Sequence, residues 1–95
     1  MEIKKMSNAG TMESSDIFVV IEKGYDGIEI NLNSTVTYQY GDQIRSVIKQ
    51  TLESIGMFSA KVTATDRGAL DCTIRARVLA AAYRAAESVD YDWSE

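Results

Sequence analysis

The segment Ile17-Phe18-Val19-Val20-Ile21 constrains the fold more than any other. It is an unbroken run of β-branched and aromatic residues, too short for a typical helix and suited to a central strand buried on both faces. A chain holding such a strand must build a sheet around it and cover that sheet with apolar surface. The cover is legible downstream. Ile44, Val47, Ile48, Leu52 and Ile55 fall on one face of a helix, with Ile48 and Leu52 at its centre and expected to pack on the sheet. Gly41-Asp42 reads as the start of this helix, with the aspartate at the positive end of the dipole. Gly56 stands where a left-handed residue stops a helix.

Alternation marks the other strands. Ile28, Ile30 and Leu32 alternate with Glu29, Asn31 and Asn33, and Ala60, Val62 and Ala64 with Lys61, Thr63 and Thr65. A short strand over 9–13 leads into Ser14-Ser15-Asp16, which has the composition of a turn. Lys23 to Gly27 is a loop, and Asp66-Arg67-Gly68 a further turn. After it, Leu70, Cys72, Ile74, Ala76 and Val78 alternate with Asp71, Thr73, Arg75 and Arg77. That pattern reads as a hairpin partner strand, followed by a helix over the alanine-rich stretch from Leu79 to Glu87. The competing reading is one helix through 69–87, with Leu70, Ile74, Val78, Ala81 and Ala85 on its face. The expected architecture is α+β: an antiparallel sheet with one long helix and a shorter C-terminal helix on one face. It forms a single domain over residues 1–95, with 1–8 as an N-terminal extension and 88–95 as an acidic aromatic tail.

Composition narrows the function. A chain of 95 residues holds one modest core and leaves little room for a deep substrate cleft. A formal charge of −4 argues against nucleic acid and against anionic membrane surfaces. No apolar run approaches the roughly 20 residues of a bilayer span. Met1 to Met6 is charged and is not followed by a signal core. Cys72 is the one cysteine, so no intrachain disulfide forms, and a reducing cytoplasm is the expected location. The chain has no histidine, which excludes a Ser–His or Cys–His pair within it and removes the commonest zinc ligand. No catalytic residue and no metal are expected; the chemistry is borrowed from a cofactor or from partner subunits.

Four segments, taken in order, carry a resemblance: Ala9-Gly10-Thr11-Met12-Glu13-Ser14-Ser15-Asp16, then Gly41-Asp42-Gln43-Ile44-Arg45, then Asp66-Arg67-Gly68-Ala69-Leu70-Asp71-Cys72, then Arg75-Ala76-Arg77. Together they resemble the citrate lyase acyl carrier (gamma) subunit family over about Met6 to Trp93. The resemblance implies a non-catalytic carrier. Its attachment residue would be Ser14, bearing 2'-(5''-phosphoribosyl)-3'-dephospho-CoA in phosphodiester linkage, with Ser15 as the alternative. The thiol of that group holds acetyl and then citryl while citrate is cleaved to acetate and oxaloacetate. The implied partners are the alpha (acyltransferase) and beta (citryl lyase) subunits and a prosthetic-group transferase. The family commonly has glycine after the modified serine; here it is Ser15, which tolerates positive φ less well.

Two rival readings are a malonate decarboxylase-type acyl carrier and a cofactor-free interaction or assembly module. The fatty-acid carriers fit poorly, because their Asp-Ser-Leu motif at a helix start is absent. Among the remaining residues, Cys72 reads as a small buried hydrophobe. Arg75 and Arg77 read as a solvated strand face or as ligands for phosphate or carboxylate. Asp66 and Asp71 are expected to serve turn geometry. Glu13 and Asp16 would hold an anionic arm off the surface. Tyr91 and Trp93 are expected to contact a partner or the domain's own sheet.

Overall fold

In the computed structural model, which describes residues 1–34 and 37–87, the Ile17 run becomes an interior strand of a four-stranded sheet. The elements are β1 (Ser7–Gly10), β2 (Ile17–Glu22), β3 (Ile28–Ser34), α1 (Thr37–Ser54), β4 (Ala60–Asp66) and α2 (Asp71–Ala86). The strand order is β1-β2-β4-β3. β2 pairs antiparallel with β1, Ala9 opposite Val19, and antiparallel with β4, Val19 opposite Ala64. β3 runs parallel to β4, Ile30 opposite Val62.

The α+β class, the long helix and the shorter C-terminal helix are as expected, but the sheet is mixed. α1 carries the chain back between β3 and β4, and a helical crossover of this kind produces a parallel neighbour. Both helices lie on one face, where α1 packs on β3 and α2 on β1 and β2. Ile17, Val19 and Ile21 are fully buried beneath them, together with Ile48, Leu52, Val62 and Val78. Phe18 and Val20 point to the opposite face, which neither described helix covers, and are half-buried. The run is therefore central, as its composition indicates, but completely buried on one side only.

After a short loop beyond Asp66 the chain is helical from Asp71, which corrects the hairpin reading. β4 already uses both of its hydrogen-bonding edges, one for β2 and one for β3. A strand over 69–78 would find no free edge there. The chain instead buries the helical set Ile74, Val78, Ala81, Ala82 and Ala85, leaving Cys72 and Ala76 exposed and Leu70, just ahead of α2, 70% exposed. The long helix also begins earlier than Gly41. Gly41 is buried inside α1, at the ~1 kcal/mol that glycine costs in a helix interior. The far end is as expected. Gly56 has φ +76°, its N–H donates to Glu53 C=O (3.0 Å), and Met57 N–H donates to Leu52 C=O (3.0 Å), which is a Schellman stop.

The N-terminal residues join the domain. Ile3 is buried, and the Lys4 and Lys5 amides donate to Ala85 C=O at 2.8 and 3.1 Å. Tyr91 and Trp93 lie outside the described residues.

Candidate functional site

Thr11 to Asp16 connects β1 to β2 at the end of the sheet where β4 and β3 also finish. Asp16 N–H donates to Glu13 C=O at 3.2 Å, closing a four-residue turn with Ser14 and Ser15 at its centre. Ser15 has φ +66°. It donates its N–H to Arg67 C=O (2.8 Å), and Arg67 N–H donates to Asp16 C=O (2.9 Å). Two residues of the β2 chain thus oppose one residue beyond β4, which is a β-bulge whose first residue is left-handed. Both the turn and the bulge favour glycine at this residue. Serine there costs ~1 kcal/mol.

Asp16 fixes the turn from below. It is 8% exposed and accepts a bidentate pair from Arg77 of α2, Nε to Oδ1 at 3.0 Å and Nη2 to Oδ2 at 2.9 Å. Thr11 Oγ1 donates to Oδ2 (2.7 Å), Ile17 N–H donates to Oδ1 (2.8 Å), and Thr11 Oγ1 in turn accepts from Glu13 N–H (3.2 Å). The hydrogen bond from Arg77 is the main reason the Asp16 carboxyl is lowered from 3.8 to about 2; burial opposes this, and the bonds from Thr11 and Ile17 add to it. Arg77 is correspondingly held above its ordinary value by Asp16. Above this clamp, Ser14 is exposed, and its hydroxyl has no hydrogen-bond partner among the described residues.

A family model described as "Malonate decarboxylase delta subunit (MdcD)", an acyl carrier protein, matches residues 4–85. The citrate lyase acyl carrier protein of Lactobacillus helveticus is 59% identical over 90 residues, 95% of this chain and 93% of that protein. Those of Lacticaseibacillus casei and Streptococcus mutans are 50% and 49% identical, each over 100% of this chain and 94% of the relative. The chain belongs to the citrate lyase acyl carrier protein family.

For a citrate lyase acyl carrier of this kind, the structure sorts the sequence candidates. It brings Ser14, Ser15, Asp16, Arg67 and Arg77 to one corner, although Arg77 is 61 residues from Asp16. Asp16 does not present free negative charge to an anionic arm, because Arg77 balances it; this corrects the expected repulsion, leaving Glu13 as the exposed acid of the turn. Asp66 serves the β4–α2 loop as expected: it accepts from Ser34 Oγ (3.0 Å) and from the Gly68 and Ala69 amides (3.1 Å each). Asp71 instead ties the two helices, accepting from Gln43 Nε2 at 2.9 Å. Arg75 is exposed on α2 without a partner among the described residues, and Cys72 is exposed rather than buried. Arg75 is thus solvated, as one of its two readings had it, whereas the correction at Cys72 follows from the helix replacing the strand.

Sequence reasoning missed the Asp16–Arg77 pair. The one available signal was that both residues lie in the segments that carry the resemblance. The described residues hold no group of His, Cys, Asp and Glu able to bind a metal, and no described helix is long and apolar enough to cross a membrane.

Proposed function

We propose that the chain is the acyl carrier subunit of a citrate lyase, with Ser14 as the attachment point for 2'-(5''-phosphoribosyl)-3'-dephospho-CoA. The observation that carries this reading is an exposed, unpartnered serine hydroxyl at the corner of a turn whose backbone is clamped from both sides. The residues present suit a phosphate-linked group: the nearest buried acid is neutralised by Arg77, and the hydroxyl is open. When bound, the group supplies a thiol that holds the acyl unit as a thioester. Everything else falls to the protein. Ser14 Oγ supplies the covalent anchor and needs no base of its own, since a transferase activates it. Thr11, Asp16 and Arg77 keep the corner in place. A long arm on a fixed corner raises the effective concentration of the acyl group at neighbouring active sites. Those sites belong to the alpha (acyltransferase) and beta (citryl lyase) subunits, which carry out the cleavage of citrate to acetate and oxaloacetate in the cytoplasm. The carrier itself contributes no catalytic residue.

Intact mass of the chain co-expressed with its modifying enzymes tests the reading. An increment equal to the prosthetic group, located on Ser14 by fragmentation, is the expected result. Ser14→Ala should lose the increment entirely and keep wild-type circular dichroism. A bare mass for the wild type would favour a cofactor-free module, and an increment on Ser15 would move the site by one residue. The matched family model also favours a second reading, a malonate decarboxylase-type carrier. Reconstitution separates the two: the loaded chain should restore citrate cleavage to carrier-depleted citrate lyase, and not decarboxylation to carrier-depleted malonate decarboxylase.

A further inference from the structure

We propose that Arg67 is the anion contact for the phosphodiester at Ser14, orienting the root of the arm; this rests on the carrier reading above. The Ser14–Ser15 peptide itself donates to the Arg67 carbonyl at 2.8 Å, and Arg67 N–H returns a bond to Asp16 at 2.9 Å, so Arg67 is fixed directly beside the modified residue. Its side chain is exposed, with no carboxylate partner among the described residues. The other arginines that reach toward the sheet are engaged. Arg77 holds Asp16, Arg45 donates to Ile30 C=O (2.8 Å), and Arg84 donates to Asn8 C=O (2.9 Å). Arg75 is unengaged but lies two residues from Arg77, on the opposite side of α2 from the turn.

A guanidinium matches the planar, two-oxygen face that a phosphodiester offers. The contact would also offset Glu13, the remaining exposed acid of the turn. It differs from the Asp16–Arg77 clamp in its timing: the clamp is complete before modification, whereas Arg67 acquires its partner when the diester forms.

The test uses the full chain, unmodified and modified, with modification verified by intact mass. The arginine Nε–H resonances are followed by ¹⁵N–¹H NMR, and the serine-linked diester by ³¹P NMR. On modification the Arg67 Nε–H resonance should move and its exchange with solvent slow several-fold, while Arg75 stays unchanged. In modified Arg67→Gln the diester ³¹P resonance should shift from its wild-type position; in modified Arg75→Gln it should not. Full modification with an unmoved Arg67 resonance, or equal ³¹P shifts in the two variants, overturns the contact and leaves the carrier reading standing. Absence of any mass increment on the wild type overturns both.

Discussion

β2 is entered and left through two connections that are held in opposite ways. At its start, the Thr11–Asp16 turn is fixed by a buried carboxylate, a bidentate arginine from α2 and two backbone bonds to Arg67. At its end, the hydrogen bonds that hold the Lys23–Gly27 link among the described residues are neutral, from Ser59 Oγ to Gly24 C=O (2.8 Å) and from Ala60 N–H to Gly27 C=O (3.1 Å). Its Tyr25 is 87% exposed, with the Lys23 ammonium 5.6 Å from the ring centre. Both loops present polar side chains to solvent, but one couples its conformation to a distant helix. An exposed hydroxyl on a fixed backbone suits an anchor.

The sharpest way to break this contrast is a pair of glycine substitutions. A Cβ on Gly10, at the mouth of the Ser14 turn, would lie 1.8 Å from Ile17 C=O on a backbone with φ +96°. Gly10→Ala should therefore cost ~3 kcal/mol or more, because backbone must move as well as strain. Gly27 has φ +80° but no described residue within 4 Å of its added Cβ. Gly27→Ala should cost only ~1–2 kcal/mol. Equal losses in urea unfolding would mean that the two loops are not held differently.

Next in size is Arg77→Gln, expected to cost ~2 kcal/mol at neutral pH, since a carboxylate loses its charged hydrogen bonds. The sign of the pH dependence follows from Asp16, whose folded value is lowered from 3.8 to about 2. The stabilisation is fully present above the unfolded value and is lost as pH falls through the folded one. The gap between wild type and variant should be constant at neutral pH and close as pH approaches 2. In the variant the Asp16 carboxyl, followed by ¹³C NMR, should titrate higher, because its largest lowering influence is gone. A gap independent of pH would show that Arg77 acts through packing.

Smaller still is Ser15→Gly, which relieves a left-handed serine at φ +66°. It should stabilise the fold by ~0.5–1 kcal/mol, net of the greater freedom glycine gains in the unfolded chain. Destabilisation would show that the Ser15 side chain contributes more than its backbone costs. Tyr25→Ala should come last, within ~0.5 kcal/mol of wild type, as expected for a ring that is 87% exposed.

Much of the layout follows from local pattern. The Ile17–Ile21 run is an interior strand, the Ile44–Ile55 stripe is a helix with Ile48 and Leu52 fully buried, and Gly56 is its left-handed stop. These assignments succeed because periodicity and steric freedom are properties of neighbouring residues. Ser14 was likewise legible as a turn residue; that glycine suits position 15 better came from the family resemblance and not from local pattern.

Tertiary structure decided the rest. Residues 70–78 satisfy both a two-residue and a helical period, and only the occupancy of both β4 edges selects the helix; with it went the expected burial of Cys72. The direction of β3 depended on where α1 returned the chain. The Asp16–Arg77 pair depended on α2 crossing β2 at its first residues, a contact between positions 61 apart that no local pattern encodes. Sequence alone determined which segments are strand-like or helical, because those preferences are local. Which edge is free, and which charge meets which, are settled only when the elements compete for the same space.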